Sequence, residues 1–83
     1  MLKGMILVKE LLEFIAKSMV ENPDAVVINE KDNGSSVTLE LTVAEGDMGK
    51  VIGKQGRIAK AIRTVVSAAA IKNNRKYYVE IIG

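Results

Sequence analysis

Apolar residues recur along the chain with two different periods, and these periods predict its secondary structure. In residues 6–20 and again in residues 57–71, apolar side chains return every three or four positions, which is typical of a helix with one buried face. The first stripe is Val8, Leu11, Leu12, Ile15 and Met19, and the second is Ile58, Ile62, Val65, Val66 and Ala69. Residues 48–52 allow a further short helical turn. Pro23 ends the first helix, because proline cannot extend it.

Three other segments follow the two-residue period of β-strands. Residues 37–44 are the clearest, since four apolar residues alternate there with Thr38, Glu40, Thr42 and Ala44. Residues 25–31 form a preceding strand, and the Asp32-Asn33-Gly34-Ser35 cluster between the two strands predicts a hairpin turn. Residues 77–82 form the last strand.

These elements predict an α+β fold with the order α-β-β-α-α-β. The first two strands form an antiparallel hairpin. The helical pair then carries the chain to a parallel neighbour through a right-handed crossover. We therefore expect a single domain over residues 1–83, with a three-stranded mixed sheet and helices packed on one of its faces.

The composition excludes several kinds of chemistry. With 83 residues, of which 48% are hydrophobic and 27% charged, the chain is one folded domain with a modest core. It contains no cysteine and no histidine, so disulfides, Cys/His zinc sites and thiol or imidazole catalysis are absent. No paired catalytic constellation stands out, and we expect no enzyme activity, no metal and no cofactor. No apolar run is long enough to span a membrane, so a cytoplasmic location is expected.

The charge is unevenly distributed along the chain. Residues 1–49 have a net charge of −5, whereas residues 50–76 have a net charge of +8 and contain no acidic residue. This basic half predicts a surface that meets a polyanion. The alternative interpretation is that these basic residues only form solvated faces of helices and bind no polyanion. The basic residues are Lys50, Lys54, Arg57, Lys60, Arg63, Lys72, Arg75 and Lys76.

Two G-x-x-G tetrads lie on either side of the boundary between the acidic and the basic half, and their surroundings differ. Gly46-Asp47-Met48-Gly49 carries a carboxylate that repels phosphate, so it is predicted to be a turn in which Asp47 caps a helix. Gly53-Lys54-Gln55-Gly56 opens the N-terminus of the 57–71 helix, where free N–H groups and nearby cations favour phosphate. An ordinary helix corner with a glycine C-cap is the alternative for the second tetrad.

The second tetrad and its flanks resemble a known family. Val51-Ile52-Gly53-Lys54-Gln55-Gly56-Arg57-Ile58 resembles the V-I-G-x-x-G-x-x-I signature of KH domains, with Ile58 one position early. The α-β-β-α-α-β order resembles the type II, prokaryotic arrangement. From about residue 5 the chain resembles the small bacterial single-KH-domain proteins of the KhpA type, and residues 1–4 are expected to be an N-terminal extension.

The resemblance implies a nucleic-acid-binding function. KH domains bind about four nucleotides of single-stranded RNA or DNA, gripping the backbone with the G-x-x-G loop while the bases lie in an apolar groove. The implied grip falls on Gly53, Lys54, Gln55 and Gly56. Groove-lining residues would be Val51, Ile52 and Ile58, with Leu41 or Val43 as weaker candidates, and flanking charge would come from Arg57, Lys60 and the 72–76 loop. Plain core packing is the alternative for the apolar residues.

The resemblance also implies a role as a post-transcriptional regulator or RNA chaperone, paired with itself or with another KH-containing protein. The alternative function is a protein-interaction or dimerisation module in which the basic stripe is incidental. Aromatic residues are few, which disfavours a stacking platform of the RRM or OB type. Tyr77 and Tyr78 are predicted to pack at the edge of the sheet.

Overall fold

The computed structural model describes residues 7–82 and confirms the predicted order of elements. The first two strands begin and end within two residues of the predicted bounds. The first strand starts late because Pro23–Ala25 form a 3-10 turn. The predicted extension at residues 1–4 lies outside the described residues. The elements are α1 (Val8–Met19), β1 (Val27–Asp32), β2 (Ser36–Thr42), α2 (Met48–Ile52), α3 (Arg57–Ala70) and β3 (Lys76–Ile82).

The three strands form the predicted mixed sheet, in the order β1-β2-β3. The hairpin partners β1 and β2 are antiparallel, whereas β2 and β3 are parallel. Leu39, at the middle of the sheet, lies opposite Glu30 on one side and Val79 on the other. Within residues 7–82, no helix is both long and apolar enough to cross a membrane.

The helices cover one face of the sheet, and the core lies between them. From the sheet, Val37, Leu39 and Leu41 are wholly buried. The buried residues of the helices are Val8, Leu12 and Ala16 of α1 and Ala59, Ile62, Val66 and Ala70 of α3. The buried stripes are rotated relative to the predicted apolar stripes, because Ala16, Ala59 and Ala70 are buried although they lie outside those stripes. Part of each apolar face therefore remains near the surface.

Asp47 is one of the buried residues, and its predicted role was wrong. It occupies the N-cap position of α2 but makes no side-chain cap hydrogen bond. Its carboxylate instead accepts hydrogen bonds from the backbone N–H groups of Glu21 (3.2 Å) and Asn22 (3.1 Å). Only 2% of Asp47 is exposed. The side chain thus ties the segment after α1 to the turn before α2.

We expect Asp47→Ala to lower the free energy of unfolding by about 2–4 kcal/mol, because it removes a charged acceptor from two partly buried N–H groups. Urea denaturation monitored by circular dichroism would measure this loss as a lower midpoint at unchanged slope. The matched control is Asp24→Ala, since Asp24 is exposed in the neighbouring 3-10 turn. Equal midpoints for the two variants would contradict a structural role for the Asp47 hydrogen bonds.

Candidate nucleic-acid interface

The loop formed by residues 53–56 joins α2 to α3 in a conformation that requires glycine. Gly53 has φ 75° and ψ 174°, a region that is essentially restricted to glycine. Gln55 (φ 58°) and Gly56 (φ 74°) are left-handed. Three of the four residues therefore have a positive φ, and the chain turns sharply between the two helices.

Ile58 packs directly against Gly53. A Cβ atom added to Gly53 would lie 2.6 Å from Cγ1 of Ile58, which is closer than packed atoms approach. Ile58 stands one position early relative to the KH signature, yet it covers the loop from the α3 side. At Gly56 a Cβ would meet nothing within 4 Å, so that side of the loop is open to an approaching ligand.

The first tetrad, residues 46–49, has a backbone conformation that does not require glycine. Gly46 and Gly49 have ordinary φ values, and a Cβ at either position would meet nothing within 4 Å. Their backbone lies in a 3-10 turn (Glu45–Asp47) and in α2. The two tetrads are thus alike in sequence and different in geometry.

The 53–56 loop also ends one helix and begins the next. The N–H of Gly53 donates to the carbonyl of Gly49 at 2.9 Å, so Gly53 is the C-cap of α2. The glycine C-cap interpretation therefore accounts for Gly53. At the other end, Gly56 precedes α3 without any side-chain cap, so the first turn of α3 has N–H groups that no side chain satisfies. Such an N-terminus favours an anion.

Positive side chains surround this N-terminus. Lys54, Gln55, Arg57 and Lys60 are all exposed. Among residues 7–82 the ion pairs are Glu13–Lys17, Lys31–Glu40 and Asp32–Arg75, so the cations around the loop face solvent without a carboxylate partner. The loop is consequently electropositive and accessible.

Beyond the loop, α3 presents two flanks of different character, because successive helical residues are about 100° apart. One flank is basic and faces β3: we call Lys60, Arg63 and Ser67 the basic flank. The Nε of Arg63 donates to the carbonyl of Val79 at 3.2 Å, which joins the helix to the edge strand. Arg63 was not among the predicted site residues, although its position three residues after Lys60 places it on the same flank.

The other flank of α3 is apolar and faces α1. The two helices border an open groove of about 600 Å³, the α1–α3 groove. Apolar residues of the two helical stripes that the core does not fully bury line this groove. Phe14 is 72% exposed and Val65 is 45% exposed. The lining residues of the groove are Leu11, Phe14, Ile15, Met19, Arg57, Ile58, Ala61, Ile62 and Val65, so one end of the groove adjoins the 53–56 loop.

The structure divides the predicted groove residues into two groups. Ile52 and Ile58 are half-buried beside the loop and retain accessible surface. Val51, Leu41 and Val43 are buried in the core. The core-packing alternative accounts for these three, because they present no surface to a ligand.

The basic 72–76 loop is separated from the 53–56 loop. It follows α3, whose fourteen residues span about 21 Å at ~1.5 Å per residue. Its cations therefore lie at the opposite end of the helix and cannot flank the same phosphate. Among residues 7–82, no three acidic, histidine or cysteine side chains lie close enough together to hold a metal ion.

Comparison with known proteins gives a family and close relatives. The family model described as "KhpA/KhpB, KH domain" matches residues 9–81. A protein named "RNA-binding protein KhpA" from Clostridium perfringens is 66% identical over 74 residues, covering 89% of this chain and 99% of the relative. Its namesake from Caldanaerobacter subterraneus is 60% identical over 73 residues, covering 88% of this chain and 97% of the relative.

Two solved structures have a similar fold. Aquifex aeolicus Era bound to GDP and aluminium fluoride aligns with a TM-score of 0.63 at 20% identity, over 98% of this chain and 31% of the Era chain. Era in complex with MgGDPNP and nucleotides 1506–1542 of 16S ribosomal RNA aligns with a TM-score of 0.64 at 21% identity, over 96% of this chain and 30% of the Era chain. This chain thus spans about a third of Era, and the likeness concerns the fold.

Proposed function

The chain belongs to the KhpA/KhpB family of KH domains, and from this we propose that it binds single-stranded RNA through the 53–56 loop. The loop grips the sugar-phosphate backbone and about four nucleotides occupy the surface beside it. The observation that carries the proposal is the conjunction at one point of a glycine-dependent turn, an uncapped helix N-terminus and unpaired cations.

The grip combines backbone and side-chain donors. A phosphate at the N-terminus of α3 accepts hydrogen bonds from free N–H groups and is favoured by the helix dipole. Lys54 and Arg57 add full positive charges, and Gln55 adds a neutral donor. Because nothing lies within 4 Å of the position that a Cβ would take at Gly56, the nucleic-acid backbone can approach the loop closely.

The bases then lie beside the loop. Ile52 and Ile58 give it an apolar border, while Lys60 and Arg63 extend the positive charge along α3 towards β3. The choice of RNA rests on the relatives, which are named as RNA-binding proteins. A cytoplasmic role as a post-transcriptional regulator or RNA chaperone follows from the same proposal, and it requires no cofactor and no catalytic step.

We expect binding to be weak and to depend strongly on salt. About three phosphates neutralised by basic side chains give a slope near −2 for log K against log salt, and the affinity should be roughly micromolar or weaker. Fluorescence anisotropy with a labelled four-nucleotide RNA at several salt concentrations measures both quantities. An affinity that does not change with salt would contradict a phosphate grip.

The α1–α3 groove supports a second function, which is association with another copy of the chain. One four-nucleotide site gives little affinity, and two linked sites gain through effective concentration. We infer a two-fold arrangement, in which the exposed Phe14 of each copy covers the groove of the other beside the short side chain of Ala61. Lys54, Gln55 and the basic flank do not line the groove, whereas Arg57 and Ile58 do. A dimer of this kind therefore leaves the tip of the 53–56 loop accessible and competes with RNA at Arg57 and Ile58. A KH-containing protein with a similar face can replace the second copy.

We expect Val65→Lys to convert this dimer to a monomer without unfolding it. Val65 is exposed at the groove, and lysine is a good helix former but does not tolerate an apolar interface. Size-exclusion chromatography with light scattering gives the mass, and a thermal melt checks the fold. Thr64→Lys is the control, since Thr64 is exposed one position away on the solvent face. A wild-type protein that is monomeric at all concentrations, or a dimeric Val65→Lys variant, would contradict this interface.

A further inference from the structure

The end of α3 that is remote from the 53–56 loop has a concave surface of its own. Two adjoining concavities of about 680 Å³ and about 250 Å³ lie where the end of α3 meets the start of β3. Both are lined by Ile71, Arg75, Lys76 and Tyr78, and together they are called the tyrosine concavity here. The α1–α3 groove has no lining residue in common with it.

Two large apolar side chains are uncovered at this surface. Tyr78 is 53% exposed and Ile71 is 74% exposed. Alternation along β3 turns Tyr77 inward, where it is half-buried against the core, and turns Tyr78 outward. The prediction that both tyrosines pack at the sheet edge therefore describes Tyr77 and not Tyr78. An exposed aromatic face beside an exposed aliphatic side chain is suited to stack on a flat ligand.

The walls of the tyrosine concavity are held in place by Arg75. Its Nε donates to the carbonyl of Gly34 at 3.1 Å, and its guanidinium pairs with the Asp32 carboxylate. The N–H of Gly34 and the guanidinium of Arg75 keep the pKa of Asp32 below its ordinary value. These contacts join the β1–β2 hairpin to the segment before β3, so the concavity is formed before any ligand arrives.

The charged residues that line the tyrosine concavity, Arg75 and Lys76, are positive. The strand β3 contributes one carboxylate nearby, Glu80, two residues after Tyr78 on the same face. Asp32 neutralises Arg75, but Lys72 and Lys76 are exposed and belong to none of the ion pairs among residues 7–82. The hydroxyl groups of Ser35 and Ser36 add polar groups to the rim. An aromatic face beside cations and hydroxyls is the combination with which proteins bind single-stranded nucleic acid, whose bases stack while its phosphates meet the cations.

We propose that the tyrosine concavity is a second nucleotide-binding subsite, in which Tyr78 stacks on a base while Lys72 and Lys76 contact the adjoining phosphates. This inference rests on the proposed RNA-binding function and extends it. The same RNA strand leaves the 53–56 loop, follows the basic flank of α3 for about 21 Å and reaches Tyr78. The footprint of the domain is then longer than four nucleotides.

The test compares RNA lengths, with fluorescence anisotropy of labelled four-nucleotide and ten-nucleotide oligouridines. Wild-type protein should bind the longer RNA more tightly. Tyr78→Ala should weaken binding of the ten-nucleotide RNA by about 5- to 150-fold, the equivalent of ~1–3 kcal/mol for one lost stack. Binding of the four-nucleotide RNA should not change. Tyr78→Phe keeps the aromatic face and should bind both RNAs like the wild type.

A second pair of substitutions tests the phosphate contacts. Lys72→Gln with Lys76→Gln should reduce the salt slope for the ten-nucleotide RNA by about 1.4, at about 0.7 per phosphate, and leave the slope for the four-nucleotide RNA unchanged. A thermal melt of each variant confirms that it is folded.

The outcomes separate this inference from the proposed function. If the Tyr78→Ala variant binds both RNAs like the wild type, the second subsite is overturned while the 53–56 loop keeps its role. The same conclusion follows if the substitution lowers the affinity for both RNAs by the same factor. If acidic substitutions in the loop leave both RNAs bound, the proposed function itself fails. If Tyr78→Ala leaves RNA binding intact but abolishes capture of a protein partner, the concavity is a protein site.

Discussion

The double variant Lys54→Asp, Gln55→Asp is expected to lose RNA binding while keeping its fold. The substitutions remove one positive charge and add two negative charges at the point where the phosphate is proposed to lie. A pair of unit charges 4 Å apart interacts by about 1 kcal/mol in water and about 4 kcal/mol near a protein surface. The affinity should therefore fall at least about a hundredfold, and we expect no binding at accessible protein concentrations.

The fold should survive because both side chains are exposed and neither contributes to the core. Gln55 has a left-handed backbone, which aspartate tolerates better than most residues do. Carboxylates at the N-terminus of α3 also interact favourably with the helix dipole. The melting temperature should accordingly be unchanged or slightly raised.

The control must carry the same change of charge elsewhere on the surface. Lys9→Asp with Asn29→Asp does so, since both residues are exposed and neither belongs to the 53–56 loop, to α3 or to the lining of the α1–α3 groove. Asp47→Asn is unsuitable as a control, because Asp47 is buried and accepts two backbone hydrogen bonds. Anisotropy with a four-nucleotide RNA gives the binding, and thermal melts give the stability. If the loop variant and the control bind equally well, the 53–56 loop is only a helix corner.

Gly53→Ala is expected to have the largest effect on stability of the substitutions in the loop. A backbone conformation restricted to glycine costs ~1–3 kcal/mol for another residue. The added methyl group also meets the side chain of Ile58 at 2.6 Å, and such overpacking costs a further ~1–3 kcal/mol. The sum is about 2–6 kcal/mol, which in a domain of this size lowers the melting temperature by at least about 8 °C.

Other glycines in the same region are the controls for this prediction. Gly56→Ala carries only the cost of a left-handed residue, about 1–2 kcal/mol, because its Cβ meets no other atom. Gly49→Ala should leave the stability unchanged or raise it by ~0.5–1 kcal/mol, since Gly49 lies within α2 in open surroundings. Differential scanning calorimetry measures the melting temperatures of all three alanine variants. A melting temperature for Gly53→Ala equal to that of Gly49→Ala would show that Ile58 and the loop relax without cost.

The fold was predictable because its information is local. Two helical stripes, one clear alternating strand and an Asn-Gly turn are each contained in fewer than twenty residues, and the connection lengths then restrict the sheet to one arrangement. The sequence also predicted which of the two tetrads favours phosphate. The two have the same glycine spacing, but they differ in charge, in flanking residues and in their position relative to the N-terminus of a helix.

The parts of the site that were mispredicted depend on contacts distant in sequence. Asp47 has the spacing of a helix cap, but its partners are 25 and 26 residues away. The 72–76 loop belongs to the same basic segment as Lys54, yet the length of α3 separates the two in space. Similarly, periodicity marks both Leu41 and Ile58 as apolar, but only the packed structure shows that one is buried and the other borders the loop.

The parallel pairing of β2 with β3 has a consequence for the kinetics of folding. Leu39 pairs with Val79, forty residues later, whereas the β1–β2 hairpin closes across a short turn. Closing a loop of that length costs about 3 kcal/mol of chain entropy by the (3/2)RT ln n relation, and a hairpin alone is marginally stable. The hairpin should therefore form early and remain unstable until α2 and α3 bring β3 alongside it, which makes docking of β3 the rate-limiting event. Substitutions that weaken the packing of Val79 should accelerate unfolding and slow refolding together, with φ-values intermediate between zero and one.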